Sequence, residues 1–138
     1  MSPSQTLHGA VLSAIELHLP RDPAAVAAAR HCVAGLVGYA AEDLVDRVTL
    51  VVSELATNAV VHTGAAFRIR ATCHVGHLLV EVDDVGSGVP HRSQPEELAL
   101  TGRGVGLVEA IADRCGTTLH EPGKTVWAAF DATDTPVV

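Results

Sequence analysis

Between residues 61 and 66 the spacing of apolar side chains changes period, and that change limits the architectures open to this 138-residue chain. Before it, Leu44, Val45, Val48, Val52, Leu55 and Ala59 recur every three or four positions, which predicts an amphipathic helix over residues 41–61. After it, Phe67, Ile69 and Ala71 alternate with Arg68, Arg70 and Thr72, a period of two that predicts a strand with one buried face. A turn near Gly76 leads into residues 78–82, whose apolar run predicts a second hairpin strand, more deeply buried than the first.

The flanking segments extend this pattern. Residues 14–19 alternate weakly and stop at Pro20, which suits a first strand at a sheet edge. Asp22 and Pro23 read as the cap and first turn of an Ala-rich helix that runs to about Val37 and ends at Gly38. Gly64 is expected to cap the second helix. A further helix is expected over residues 104–114, closed by Gly116, and two last strands over 117–120 and 125–130, around the turn Glu121-Pro122-Gly123-Lys124. Helices grouped in one part of the order and antiparallel strands in another predict an α+β, two-layer sandwich rather than a doubly wound parallel sheet.

Charge and cysteine usage exclude several functions. Nine Lys and Arg against 16 Asp and Glu give a formal charge of -7, which argues against a backbone-tracking nucleic-acid binder, since that would need a cationic face. Cys32, Cys73 and Cys115 form no CxxC and no paired framework, so a reducing, cytoplasmic compartment fits them best. The first 20 residues lack a charged head before a short apolar run, and no run approaches the roughly 20 apolar residues of a membrane span. The 12 glycines are unevenly spread, and five of them fall between Gly86 and Gly106.

Three constellations carry chemistry. Glu54 and Asn58, four apart, share one face of the second helix, with Val51 between them and the core. A carboxylate there suits proton transfer and the neighbouring amide oxygen suits magnesium, although a solvated polar flank has the same spacing. Asp84-Val85-Gly86-Ser87-Gly88 leaves a strand through a tight turn, so Asp84 faces any cleft at that strand's exit; an ordinary Asp-Gly turn has the same local form. Thr101-Gly102-Arg103-Gly104-Val105-Gly106-Leu107 precedes a helical pattern, where close glycines and a helix N-terminus accommodate phosphate. The Walker A string is absent, and a dinucleotide fingerprint would follow the first strand of a βαβ unit. Taken jointly, the three supply base, metal and phosphate sites in a sensible order.

Outside these groups, His62 lies one turn beyond Asn58 and suits a core or cap hydrogen bond better than catalysis. Cys73, His74 and His77 make a poor metal site, because adjacent strand residues point to opposite faces.

The ordered set resembles the GHKL superfamily of ATP-binding domains, which includes histidine-kinase, gyrase and heat-shock-protein ATPases. Within it, the chain is most similar to the small anti-sigma factor serine/threonine kinases and their actinobacterial relatives. The resemblance spans residues 12–131, with 1–11 and 132–138 expected as flexible ends. It implies the Bergerat fold, with helices on one face of a mixed, mainly antiparallel sheet. By the same resemblance, Glu54 is the base, Asn58 the magnesium ligand, and His62 completes the N box. Asp84, Gly86 and Gly88 form the adenine box, while Arg103, Gly104, Val105, Gly106 and Leu107 form the phosphate box. Thr125 of the last strand is expected near adenine, and residues 89–101 are expected as a lid.

The implied cofactors are ATP and Mg2+. The implied activity is transfer of the γ-phosphate to a serine or threonine of a small anti-sigma-factor antagonist, controlling transcription by partner switching. The implied partners are that antagonist, a sigma factor, or both, and similar kinases often form homodimers; neither nucleic acid nor membrane is expected to be bound directly. Two readings stand beside this one: a nucleotide-dependent binding protein with no significant kinase activity, and a GHKL adaptor whose partner is unrelated to sigma factors.

Overall fold

The computed structural model describes residues 10–38, 40–62, 65–84, 102–120 and 123–131, with side chains of the third helix described from Gly106 onward. The elements run β1 (Val11–Leu19), α1 (Ala24–Val37), α2 (Glu42–His62), β2 (Phe67–His74), β3 (His77–Asp84), α3 (Gly102–Ile111), β4 (Arg114–Leu119) and β5 (Lys124–Asp131). The five strands form one sheet in the order β1-β2-β3-β5-β4, and all four pairings are antiparallel. The architecture is the expected α+β two-layer sandwich, and no parallel pair occurs among the described strands.

The change of period explains the layering. On α2 the 3.6-residue stripe becomes the buried series Leu44, Val48, Val51, Val52, Leu55, Ala56 and Ala59. On the sheet the period of two turns Phe67, Ile69, Ala71 and Cys73 of β2, with Leu78, Val80 and Val82 of β3, into the same core. Val33 from α1, Val108 from α3, and Ala128 and Phe130 from β5 complete it, so the three described helices share one sheet face. Burying a side chain the size of Phe67 or Phe130 stabilises the fold by roughly 1.5–3 kcal/mol.

Local signals set most boundaries. The Ala24 amide donates to Asp22 Oδ1 at 2.8 Å, so Asp22 restrains the chain as it enters α1, and Gly38 ends that helix. The β2–β3 hairpin turns at Val75-Gly76, where Gly76 has a φ of 79° that a side chain would strain. Gly64 lies outside the described residues.

Three boundaries are corrected: β1 begins at Val11 rather than at residue 14, β4 begins at Arg114 rather than at residue 117, and the helix before β4 is shifted. The helix expected over residues 104–114 is α3, which starts at Gly102 and stops at Ile111; Arg114 opens β4, and Gly116 lies inside that strand. Gly116 is not a helix stop. A Cβ at that position would meet the Trp127 ring at 3.0 Å, so the glycine allows the indole of the neighbouring strand to lie close against β4.

Two arginines orient α2 along the sheet. Arg21, just beyond the end of β1, donates from Nε to the Val60 carbonyl at 2.8 Å. Since Leu19 pairs with Phe67 and Phe67 with Asp84, the last turns of α2 lie at the end of the sheet where β3 exits. Near the other end of α2, the Arg47 guanidinium lies 5.7 Å above the Phe130 ring centre, and its Nη2 donates to the Ile111 carbonyl at 2.6 Å. Arg47 thus neutralises the C-terminal end of α3 while covering the core.

Candidate functional site

The candidate residues come from α2, whose last turns lie at the sheet end where β3 exits, and from β3 itself. Glu54 and Asn58 are both half-buried and border the stripe formed by Val51, Leu55 and Ala59, as their spacing requires. Among the described residues the Asn58 Nδ2 atom is buried and makes no hydrogen bond. As an N–H donor, Nδ2 suits an acceptor oxygen rather than a metal. The Asn58 side-chain oxygen is a hard donor and a carboxylate stands one turn earlier on the same helix face, a combination that suits magnesium. His62, one further turn along, is half-buried in the last turn of α2.

Asp84 is the last residue of β3 and pairs with Phe67. Alternation from Val80 and Val82 directs it to the helix-covered face, at the end of the sheet that carries the last turns of α2. The Asp84 main chain is fixed by a close neighbour across the sheet. Gly123 has a φ of 93°, and a Cβ there would collide with the Asp84 carbonyl oxygen, so glycine meets two requirements at that position.

The phosphate-box residues fall inside a helix rather than before one. Gly102, Arg103, Gly104, Val105, Gly106 and Leu107 all belong to the first turns of α3, where Gly106 is exposed and Leu107 half-buried. The free backbone N–H groups are therefore those of the opening turn, which is where a helix attracts an anion. Gly86, Gly88 and the segment expected as a lid lie outside the described residues.

Thr125 takes a different position from the one expected. It pairs with Asp83, not Asp84, and so belongs to the face opposite the helices. Its hydroxyl donates to Asp83 Oδ1 at 2.5 Å and lies 3.0 Å from His120 Nε2. The last turns of α2, which carry Asn58 and His62, lie at the sheet end where Asp84 leaves β3, with Glu54 one turn before Asn58 on the same helix, whereas the Thr125 side chain belongs to the opposite face.

The open face holds charged residues that the motifs do not include. Asp83 is only 3% exposed. Arg68 donates to its Oδ2 through Nε at 2.9 Å and Nη2 at 2.6 Å, and Arg70 Nη2 lies 3.2 Å from the same oxygen. Arg70 also reaches Glu81 at 3.4 Å. The hydrogen bonds that Arg68 donates to Asp83 raise the Arg68 pKa above its ordinary value, and burial pushes the Glu81 carboxyl up. The signal for these pairs lay in the hairpin: with the turn at Val75-Gly76, antiparallel register sets Arg68 against Asp83 and Arg70 against Glu81.

Neither Cys73 nor Cys115 sits where a nucleophile is favoured. Burial pushes both thiols up, away from the thiolate form. Among the described residues no cluster of His, Cys, Asp and Glu could hold a metal by itself, and no helix is long and apolar enough to cross a membrane.

Comparison with known proteins bears on the family and the fold. The family model for the histidine kinase-like ATPase domain matches residues 19–130. Among solved structures, the chain is similar to the RsbU and RsbW domains of Rv1364c from Mycobacterium tuberculosis, with a TM-score of 0.68 at 17% sequence identity. That match covers 87% of this chain and 32% of the other, so the similarity is one of fold over about a third of a longer protein. No curated protein matches the chain.

Proposed function

Because the chain belongs to the histidine kinase-like ATPase domain family, we propose that it binds ATP with magnesium and phosphorylates a serine or threonine on a small anti-sigma-factor antagonist. The observation that carries the site is Asn58, whose buried Nδ2 has no hydrogen-bond partner among the described residues, one turn beyond Glu54 and at the sheet end that holds Asp84. A protein partner is supported by the resemblance of the motifs to anti-sigma factor kinases. It is also supported by the fold shared with a chain that joins an RsbW domain to an RsbU domain.

Each residue then has a distinct task. Asp84 accepts a hydrogen bond from the exocyclic amino group of adenine, which guanine does not offer at the same position. Asn58 holds magnesium through its side-chain oxygen, and magnesium, when bound, neutralises charge on the phosphates. The opening turn of α3 donates backbone N–H groups to phosphate oxygens, with Arg103 as their nearest cation in sequence. Glu54 orients the acceptor hydroxyl and takes its proton. With a net charge of -7, the protein relies on these local donors to attract an anionic ligand.

The test is phosphate transfer from labelled ATP to a candidate antagonist. Glu54→Gln keeps nucleotide affinity and loses most of the transfer, by about a hundredfold or more. Transfer at the parent rate in that variant removes Glu54 as base. Nucleotide-dependent partner binding with no transfer by the parent chain selects the binding-protein reading instead.

A further inference from the structure

On the open face, the chain of contacts from His120 through Thr125 to Asp83 has a defined direction. Asp83, held by Arg68 and Arg70, acts as an acceptor, so the single Thr125 proton goes to Asp83 Oδ1. Thr125 Oγ1 then has only lone pairs to offer, and the 3.0 Å contact requires His120 Nε2 to be the donor. His120 also closes the last turn, because its backbone N–H donates to the Gly123 carbonyl at 3.0 Å. Gly123 in turn packs against the Asp84 carbonyl. The tip of the β4–β5 hairpin therefore grips the exit of β3 twice, through the Asp83 side chain and through the Asp84 main chain.

From this we infer that Asp83, Thr125 and His120 are positioning residues that fix Asp84 for recognition of the adenine base. The inference rests on the proposed nucleotide site. None of the three side chains touches the base; they act from the opposite side of the sheet. Successive residues of a strand share one backbone, so a clamp on the Asp83 side chain and the Asp84 main chain fixes the Cα–Cβ direction from which the Asp84 carboxylate projects. Their loss therefore affects base selectivity, which a general loosening of the fold leaves unchanged.

The experiment titrates the whole chain, with magnesium, against ADP, GDP and inorganic tripolyphosphate, for the parent and for Thr125→Val, Thr125→Ser and His120→Ala. Thr125→Val removes the hydroxyl at nearly constant volume and weakens ADP about tenfold, while GDP and tripolyphosphate change by less than about twofold. Thr125→Ser restores the hydroxyl and the ADP affinity. His120→Ala, at an exposed position outside the core, breaks the same chain and weakens ADP in the same selective way. The inference is overturned if Thr125→Val and His120→Ala bind ADP like the parent, or if ADP and tripolyphosphate weaken together. Failure of the parent itself to bind ADP overturns the nucleotide site, and the inference with it, so the two failures are distinguishable.

Discussion

The two faces of the sheet bury their residues by different means, and β3 belongs to both. Toward the helices, Leu78, Val80 and Val82 join an apolar layer closed by α1, α2 and α3. Toward the open side, the same strand carries Leu79, Glu81 and Asp83, and the two carboxylates are covered by arginines from β2. Asp83 and Asp84 are neighbours in sequence yet point to opposite faces. One is locked into an ion-paired network, and the other stands at the proposed adenine site. Stability on the helix side comes from area removed from water. On the open side it depends chiefly on the buried Asp83 charge keeping its arginine partners.

The largest break in this comparison comes from the apolar layer. Phe130→Ala removes a fully buried ring beneath Arg47 and lowers unfolding free energy by about 4 kcal/mol, as read from urea melts. On the other face, Asp83→Asn leaves Arg68 and Arg70 without their shared charge and costs about 2 kcal/mol by the same measurement. Adding Arg68→Ala to that variant costs less than it does in the parent, because the pair is already broken.

The smallest effect has a pH signature. Burial pushes the Glu81 carboxyl above its ordinary 4.5, an effect that Arg70 opposes and Asp83 reinforces. A carboxyl with a raised pKa binds a proton more readily in the native state than in the unfolded one. Its contribution therefore makes the fold more stable as pH falls through the native pKa toward 4.5. Glu81→Gln removes that rise, and at pH 7 it is as stable as the parent or slightly more so. Arg70 opposes the shift only in part: its bond to Glu81 is long, at 3.4 Å, and burial outweighs it. Urea melts at pH 7 and pH 5 measure the difference; a destabilised variant with the parent's pH slope contradicts it.

The helix-covered face was the more legible of the two. Periods of 3.6 and two located α2 and the β2–β3 hairpin, because burial on one side leaves a regular imprint in sequence. The Glu54 and Asn58 pair was legible for the same reason, since i,i+4 spacing fixes a shared helix face. Gly116 misled because a glycine after an apolar run resembles a helix end, whereas its cause is a Trp127 ring brought near by strand pairing. Thr125 misled by a single position: in a strand one residue decides the face, and the register with Asp83 comes from the whole sheet. The arginine–carboxylate network went unread because alternating charges in a strand also describe a solvated surface.

The central claim is that Asp84, and not its neighbour, recognises a nucleotide base. The direct measurement is calorimetric titration of Asp84→Asn with ADP and magnesium, beside a thermal melt of the same variant. The expected result is at least about tenfold weaker ADP binding with a melting temperature close to that of the parent. Binding of ADP by Asp84→Asn with the parent's affinity would contradict the claim.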